Sequence, residues 1–220
     1  MHAPTPFAEL NIDGKRCHVV GYQRWHAKRD KLEQFVAQRF EVDYGAKLIH
    51  FMPLLVVLQG PEQQVLAIAG VRSALMEPLF LEQYLDNSIE RVLRLQAGQR
   101  VQRHQIVEMG NLAAVQSGYS RYLFAVMTDL LLAWDFQWLC CTGVTSVRNL
   151  FRRLNMEPVV VAPALAERIP GAGDQWGSYY QKNPLVLTGE IRRGRACISR
   201  NGFLENCGYV KVEMTDVQSA

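Results

Sequence analysis

The chain has 220 residues, 49% of them apolar, with 24 basic and 21 acidic side chains for a net charge of +3. That is enough apolar sequence for one sizeable core, and so slight a charge excess excludes nucleic acid as a main partner. No stretch approaches about 18 uninterrupted apolar residues and no basic region precedes a long apolar run near Met1, so no transmembrane segment is expected and the reading is a soluble, cytoplasmic protein.

In chain order, "CHVVGY" (17–22) predicts a strand, and "QRWHAKRDKLEQFVAQRFEVDYG" a helix with Trp25, Leu32, Phe35, Val36 and Phe40 on one face, ending near Gly45. "LIHFMPLLVVLQ" and "QVLAIAGVRSA" read as two strands joined by the turn "GPEQ", a hairpin. "EPLFLEQYLDNSIERVLRL" has helical spacing through Leu81, Tyr84, Leu85, Ile89, Val92 and Leu93, after which "IVEMGNLAA" (106–114) returns as a strand. A helix beginning near Gly118 carries Leu123, Val126, Met127, Leu130, Leu131 and Trp134 in a stripe best read as core. "QWLCCTGV" is the next strand, "TSVRNLFRRLN" a short helix capped by Thr145 or Ser146, "EPVVVAPA" a strand, and "NPLVLTGEI" a strand closing the sheet.

The order strand, helix, hairpin, helix, strand, helix, strand, helix, strand predicts a mixed α/β fold. Residues 1–190 are expected to form the main domain and 191–220 a C-terminal extension or tail. Glycine-rich phosphate loops, H-E-x-x-H, G-x-S-x-G and His/Asp/Glu metal clusters are absent from the sequence. Cys17, Cys140, Cys141, Cys197 and Cys207 are odd in number and lack C-x-x-C spacing, so neither a disulfide framework nor a metal site is expected. Cys140 and Cys141, adjacent on one strand, should face opposite sides as packing residues. Basic clusters at Arg91, Arg94, Arg100 and Arg103, and at Arg192, Arg193, Arg195 and Arg200, fit a solvated face or a landing patch for an acidic partner.

"IVEMGNLAA" poses the functional question. A carboxylate in a half-buried strand costs free energy unless it is paired, hydrogen-bonded or used, which makes Glu108 a site candidate, with Asn111 three residues on.

The segments "YGAKLIHFMPLLVV", "AGVRSA", "LFLEQYLDNSIE", "IVEMGNLAA", "VRNLFRRLNMEP" and "WGSYY" resemble the thermostable hemolysin family over about two thirds of the chain, roughly residues 44–189. More distantly, "GVR", an acidic helix and a strand with Glu-x-x-polar are similar to autoinducer synthases and N-acyl amino acid synthases. That likeness implies a GNAT-like mixed central sheet flanked by helices and an N-acyltransferase moving a fatty acyl group to a small amine or amino acid. Arg72 matches the family's arginine after the hairpin strand and Glu108 its strand glutamate. The family's E-x-S-R becomes "EMGN", so Asn111 replaces an arginine, which counts against homoserine-lactone chemistry. "QSGYS" meets the acetyltransferase Q/R-x-x-G-x-G/A motif only in part, and Phe151 stands where many acetyltransferases have a tyrosine acid. The grip on a coenzyme A diphosphate is thereby weakened, and an acyl carrier protein becomes a comparably good donor to acyl-CoA. No tightly bound cofactor is implied.

Acyl transfer from a thioester to an amine needs a base, donors for the developing oxyanion and a slot for the pantetheine arm. Glu108 is the candidate base, with Arg72 holding the acceptor's carboxylate or orienting Glu108. A splay of the strand from Asn111 through Leu112, Ala113 and Ala114 would free backbone N–H groups for the donor. Gly118 and Tyr119 at the next helix start, with Arg121 one turn in, would meet a phosphate. Trp176, Tyr179 and Tyr180 suit a pocket wall or an ordinary core. The structural alternatives are a cross-strand Arg72–Glu108 ion pair and an Asn111 that caps a turn at a bulge. The functional alternatives are a hemolysin acting directly on membranes and an inactive acyl-thioester binding module.

Overall fold

A computed structural model describes residues 5–170 and 175–212; the end of the expected C-terminal extension lies outside them. Strands β1 (Thr5–Ile12) and β2 (Lys15–Gln23) form a hairpin, helix α1 (Arg29–Tyr44) follows, and β3 (Leu54–Gln59) and β4 (Val65–Ser73) form a second hairpin. A short 3-10 helix (Phe80–Tyr84), α2 (Ile89–Ala97), β5 (Ile106–Ala114), α3 (Ser117–Ala133), β6 (Trp138–Gly143) and α4 (Thr145–Arg153) come next. The chain continues through β7 (Val159–Pro163), β8 (Leu185–Glu190), α5 (Ile191–Arg200), α6 (Phe203–Asn206) and β9 (Val210–Lys211).

The strands make one sheet in the order β7-β8-β6-β5-β4-β3-β2-β1-β9, and among the described residues only β5 and β6 pair in parallel. That pair needs a crossover, which α3 supplies. One face is covered by α3, α5 and α6, burying Val107, Met109, Leu123, Val126, Leu130 and Ile198 together. The other carries two smaller cores, one under α1 around Val36 and Leu55, the other under α2 around Leu81, Leu93 and Ile106. Cys140 and Cys141 fall in the cores on opposite faces, as the strand period requires.

Several elements depart from the sequence reading for identifiable reasons. Helix α1 starts only at Arg29, and Trp25 lies before it, largely exposed. It ends as expected, with Gly45 in the left-handed region. The expected long helix over 77–95 is two pieces, because Leu85 and Ser88 adopt extended and other non-helical backbone. In α4, Thr145 is already helical and the cap position is Val144, with no side-chain capping bond. β8 lies inside the sheet and β7 takes the edge. Beyond residue 190, α5 and α6 pack on α3 through Ile191, Ile198 and Leu204, and β9 pairs with β1.

The segment "LIHFMP" is not strand but a strap across the sheet. Gly70 and Gly110, opposite each other on β4 and β5, make room for it: a Cβ at either would come 2.6 Å from Met52 side-chain atoms. Arg29, only 3% exposed, anchors it: Nη1 donates to the carbonyls of Tyr22 and Pro53 at 3.0 Å, Nη2 to that of Met52, and Nε to Glu33 at 2.7 Å. Pro53 lacks a ladder donor, which marks where β3 can begin. Arg29→Met should leave these buried carbonyls unsatisfied and cost roughly 3–5 kcal/mol, with Arg29→Lys recovering only part because an ammonium cannot fork among them; urea denaturation of the three proteins measures it.

Candidate active site

β5 stays with β6 only as far as Met109 opposite Cys141, although β5 runs on to Ala114, still paired with β4. Its last five residues therefore present an open backbone edge toward β6. The departure coincides with a bulge: Gly70 faces Gly110 and Ile68 faces Ala113, so Asn111 and Leu112 together oppose Ala69. Asn111 adopts φ +48°, a left-handed conformation that asparagine tolerates better than most residues. Its Oδ1 accepts the Met52 N–H at 2.7 Å, so the side chain ties bulge and strap together. Asn111, a site candidate in the sequence beside Glu108, has its side-chain oxygen on the strap rather than on Glu108.

The gap opens a cavity of about 880 Å³ that reaches both faces of the sheet. On the α1 and α2 face its walls include Arg72, Glu108, Phe80 and Tyr84; on the α3 and α4 face they include Leu112, Phe124, Val147 and Leu150. Both ends mix polar and apolar residues: Phe80 and Trp176 stand with Arg72 and Glu108 at the first, and Ser117, Arg121 and Asn149 with Leu112 and Leu150 at the second.

Glu108 is 3% exposed. Its Oε2 accepts the Phe80 N–H at 2.8 Å and its Oε1 the Leu81 N–H at 3.0 Å. Burial pushes its carboxyl up to about 7, against the opposing pull of those N–H groups and of Arg72. Glu82, nearby, goes the other way: burial alone would raise it, but Arg103, donating to both its oxygens, and the N–H groups of Leu79 and Ile89 hold it below the usual range. Glu82 is consumed in clamping the 3-10 helix to α2, whereas Glu108 faces the cavity.

Arg72 is opposite Glu108 across β4 and β5, yet the pair is not a tight bridge. Its nearest polar contacts are the Pro78 carbonyl at 3.5 Å, Glu77 at 3.6 Å and Glu108 at 3.8 Å, and its buried Nε has no hydrogen-bond partner. A guanidinium so loosely held on a cavity wall can take a ligand's carboxylate as a forked partner.

Trp176 and Tyr179 line the same end, their rings 5.2 Å apart; Trp176 also lies 5.9 Å from Phe80, and Tyr179 lies 5.2 Å from Tyr44. Gly177, at φ +50°, brings this segment against the end of α1, where a Cβ would come 2.1 Å from the Tyr44 carbonyl oxygen. Tyr180 sits behind the wall, its hydroxyl 2.8 Å from that of Tyr84. On the other side Leu112, Ala113, Ala114, Gly118 and Arg121 line the cavity, whereas Tyr119 packs into the α3 core. The first turn of α3 has no side-chain cap, and a side chain at Gly118 would project into open space. Arg121 lies over the Phe203 ring at 5.1 Å. Phe151 is buried edge-on against Phe124 and does not line the cavity.

The sequence reading missed Tyr44, Met52, Phe80, Tyr84, Phe124 and Thr142, all on the cavity wall. Thr142 was findable: like Glu108, it is a polar residue inside an apolar strand, and its Oγ1 is buried without a partner. The rest carry no such mark, because an aromatic at helical spacing looks the same whether it faces core or cavity.

The family model described as thermostable hemolysin matches residues 22–195. Among solved structures, the chain is similar to FeeM, an N-acyl amino acid synthase from uncultured soil microbes, at 12% identity and a TM-score of 0.59, over 85% of this chain and 98% of that one. It is also similar to the AHL synthase LasI, at 15% identity and a TM-score of 0.55, over 81% of this chain and 91% of that one. BjaI, a CoA-dependent acyl-homoserine lactone synthase solved with SAM and isopentyl-CoA, gives 13% identity and a TM-score of 0.51, over 88% and 89%. At such identities the likeness is one of fold, a mixed sheet flanked by helices. No curated protein matches the sequence. Among the described residues, no helix is long and apolar enough to cross a membrane.

The raised Glu108 carboxyl has a consequence for stability. Between 4.5, its ordinary value, and about 7 the folded protein keeps a proton that the unfolded chain has released, so stability falls as pH rises through that window. The contribution is of order 3 kcal/mol. Glu108→Gln should flatten this slope, as seen by comparing urea midpoints of both proteins at pH 5 and pH 8.

Proposed function

The chain belongs to the thermostable hemolysin family and shares its fold with N-acyl amino acid and acyl-homoserine lactone synthases, and from that premise we propose that it is an N-acyltransferase. It moves a fatty acyl group from a thioester of acyl carrier protein or coenzyme A to a small amine or amino acid. The observation that carries this reading is the placement of Glu108, a carboxylate poised near 7, beside the gap where β5 leaves β6.

The donor's thin pantetheine arm lies along the open edge of β5, where Ala113 and Ala114 allow close approach, and its phosphate meets the first turn of α3 and Arg121. The acceptor enters from the opposite face, with a carboxylate, if it has one, on Arg72. Its amine nitrogen attacks the thioester carbon; Glu108 takes the nitrogen's proton directly or through a water; the C–S bond breaks and the sulfur departs as a thiolate, which takes up the proton from Glu108 or from solvent. Free N–H groups of β5 and the Thr142 hydroxyl are the donors at hand for the oxyanion. Each Glu108 oxygen accepts one backbone N–H and keeps a lone pair for the incoming proton.

Thiol release from acyl-CoA and acyl carrier protein, measured across a panel of amines and amino acids, tests the reading; no release from any pair would overturn it. With a working pair, Glu108→Gln should lower kcat about 10²- to 10⁴-fold, and kcat/KM of the unmodified protein should rise with pH through an ionisation near the Glu108 value of about 7. Arg72→Met should raise KM about 10-fold or more for acceptors bearing a carboxylate and leave simple amines little changed.

A further inference from the structure

Phe124 is the one described residue that lines both the cavity and a second hollow, a groove of about 460 Å³ between α3, α5 and the β6–β8 part of the sheet, to which α4 contributes Phe151. On the cavity side it belongs to an apolar patch of the lining with Leu112, Cys141, Val147 and Leu150. On the groove side lie Thr128, Leu132 and Leu139, and Phe151. The Phe124 and Phe151 rings meet edge to face, centroids 4.9 Å apart and planes at 82°, and both are almost wholly buried. The Phe124 ring, backed by Phe151, thus has the cavity on one side and the groove on the other. Such a pair is held by its own packing and cannot swing aside without opening a void.

Resting on the acyl-transfer reading above, we propose that the Phe124–Phe151 pair is the end-stop that sets the length of the acyl chain the protein accepts, with Phe124 as the specificity-determining residue. An alkyl chain on this patch gains affinity with each methylene it buries, about 4-fold apiece. The gain must stop where the terminal methyl meets the Phe124 ring, because a longer chain has to bend back or push a packed ring out of its rotamer. Shortening Phe124 joins cavity and groove and lets the chain run on past Leu139.

The test is acyl-CoA binding by native mass spectrometry across a homologous series of straight chains, on the full chain and without acceptor. Variants are Phe124→Leu, Phe124→Ala, Phe124→Trp and, as a control for core loosening alone, Leu130→Ala, which is buried on the same helix but lines neither hollow. Near-ultraviolet circular dichroism establishes that each is folded. For the unmodified protein, affinity should climb about 4-fold per methylene and then level off at one length. That break should move to a longer homologue in Phe124→Leu, and further in Phe124→Ala if it folds, to a shorter one in Phe124→Trp, and stay in place in Leu130→Ala. A break at the same length in all folded variants, or one that moves equally in Leu130→Ala, would overturn the end-stop while leaving the acyl-transfer reading intact. Failure of the unmodified protein to bind any acyl-CoA in the series, or any acyl carrier protein with the same chains, would overturn both.

Discussion

Everything at this site depends on one break in hydrogen bonding, the parting of β5 from β6 after Met109. A parallel pair that ran its full length would seal the middle of the sheet. Here the ladder stops while β5 keeps its bonds to β4, so one edge of a central strand is exposed inside the molecule. Unpaired backbone at that depth is costly unless something takes its place. The bulge at Asn111, the glycines at 70 and 110 and the strap through Met52 stabilise the parting from one side. The two α3 and α4 helix starts frame it from the other.

Around that gap the charges are sorted by how completely they are satisfied. Arg29, Arg103 and Glu82 have full sets of close partners and serve the architecture. Glu108 and Arg72 face each other at 3.8 Å, close enough to influence one another and too far apart to neutralise one another. Burial then dominates at Glu108 and lifts its carboxyl to about 7, where a modest change in surroundings moves a proton. The same low-polarity surroundings that make Glu108 costly to the fold are what its proposed role as a base calls for.

Much of this was legible in the residues. The strand "IVEMGNLAA" announced itself by an out-of-place carboxylate, and its sequel "QSGYS" by part of an acetyltransferase motif at a helix start. The hairpin of β3 and β4, the opposed faces of Cys140 and Cys141 and the end of α1 at Gly45 follow from period and turn chemistry, whereas β1 went unread. The strap was misread as strand, because "LIHFM" has strand-like composition and the reason it cannot pair lies in glycines about 20 and 60 residues away. The helix over 77–95 was read as one piece, since its apolar spacing carries on through Leu85 and Ser88, where the backbone is not helical.

What the sequence determined by itself was local: which segments alternate, which wind, where glycine and proline end them, and that Glu108 needed a reason to be where it is. Which wall each aromatic faces, how far β5 and β6 stay together, and whether Arg72 closes on Glu108 or stands off were decided only by tertiary structure. The physical reason is the range of the forces involved. Periodicity and capping act within a turn or two of chain, whereas burial, the partnering of a charge and the shape of a cavity depend on groups that folding alone brings together.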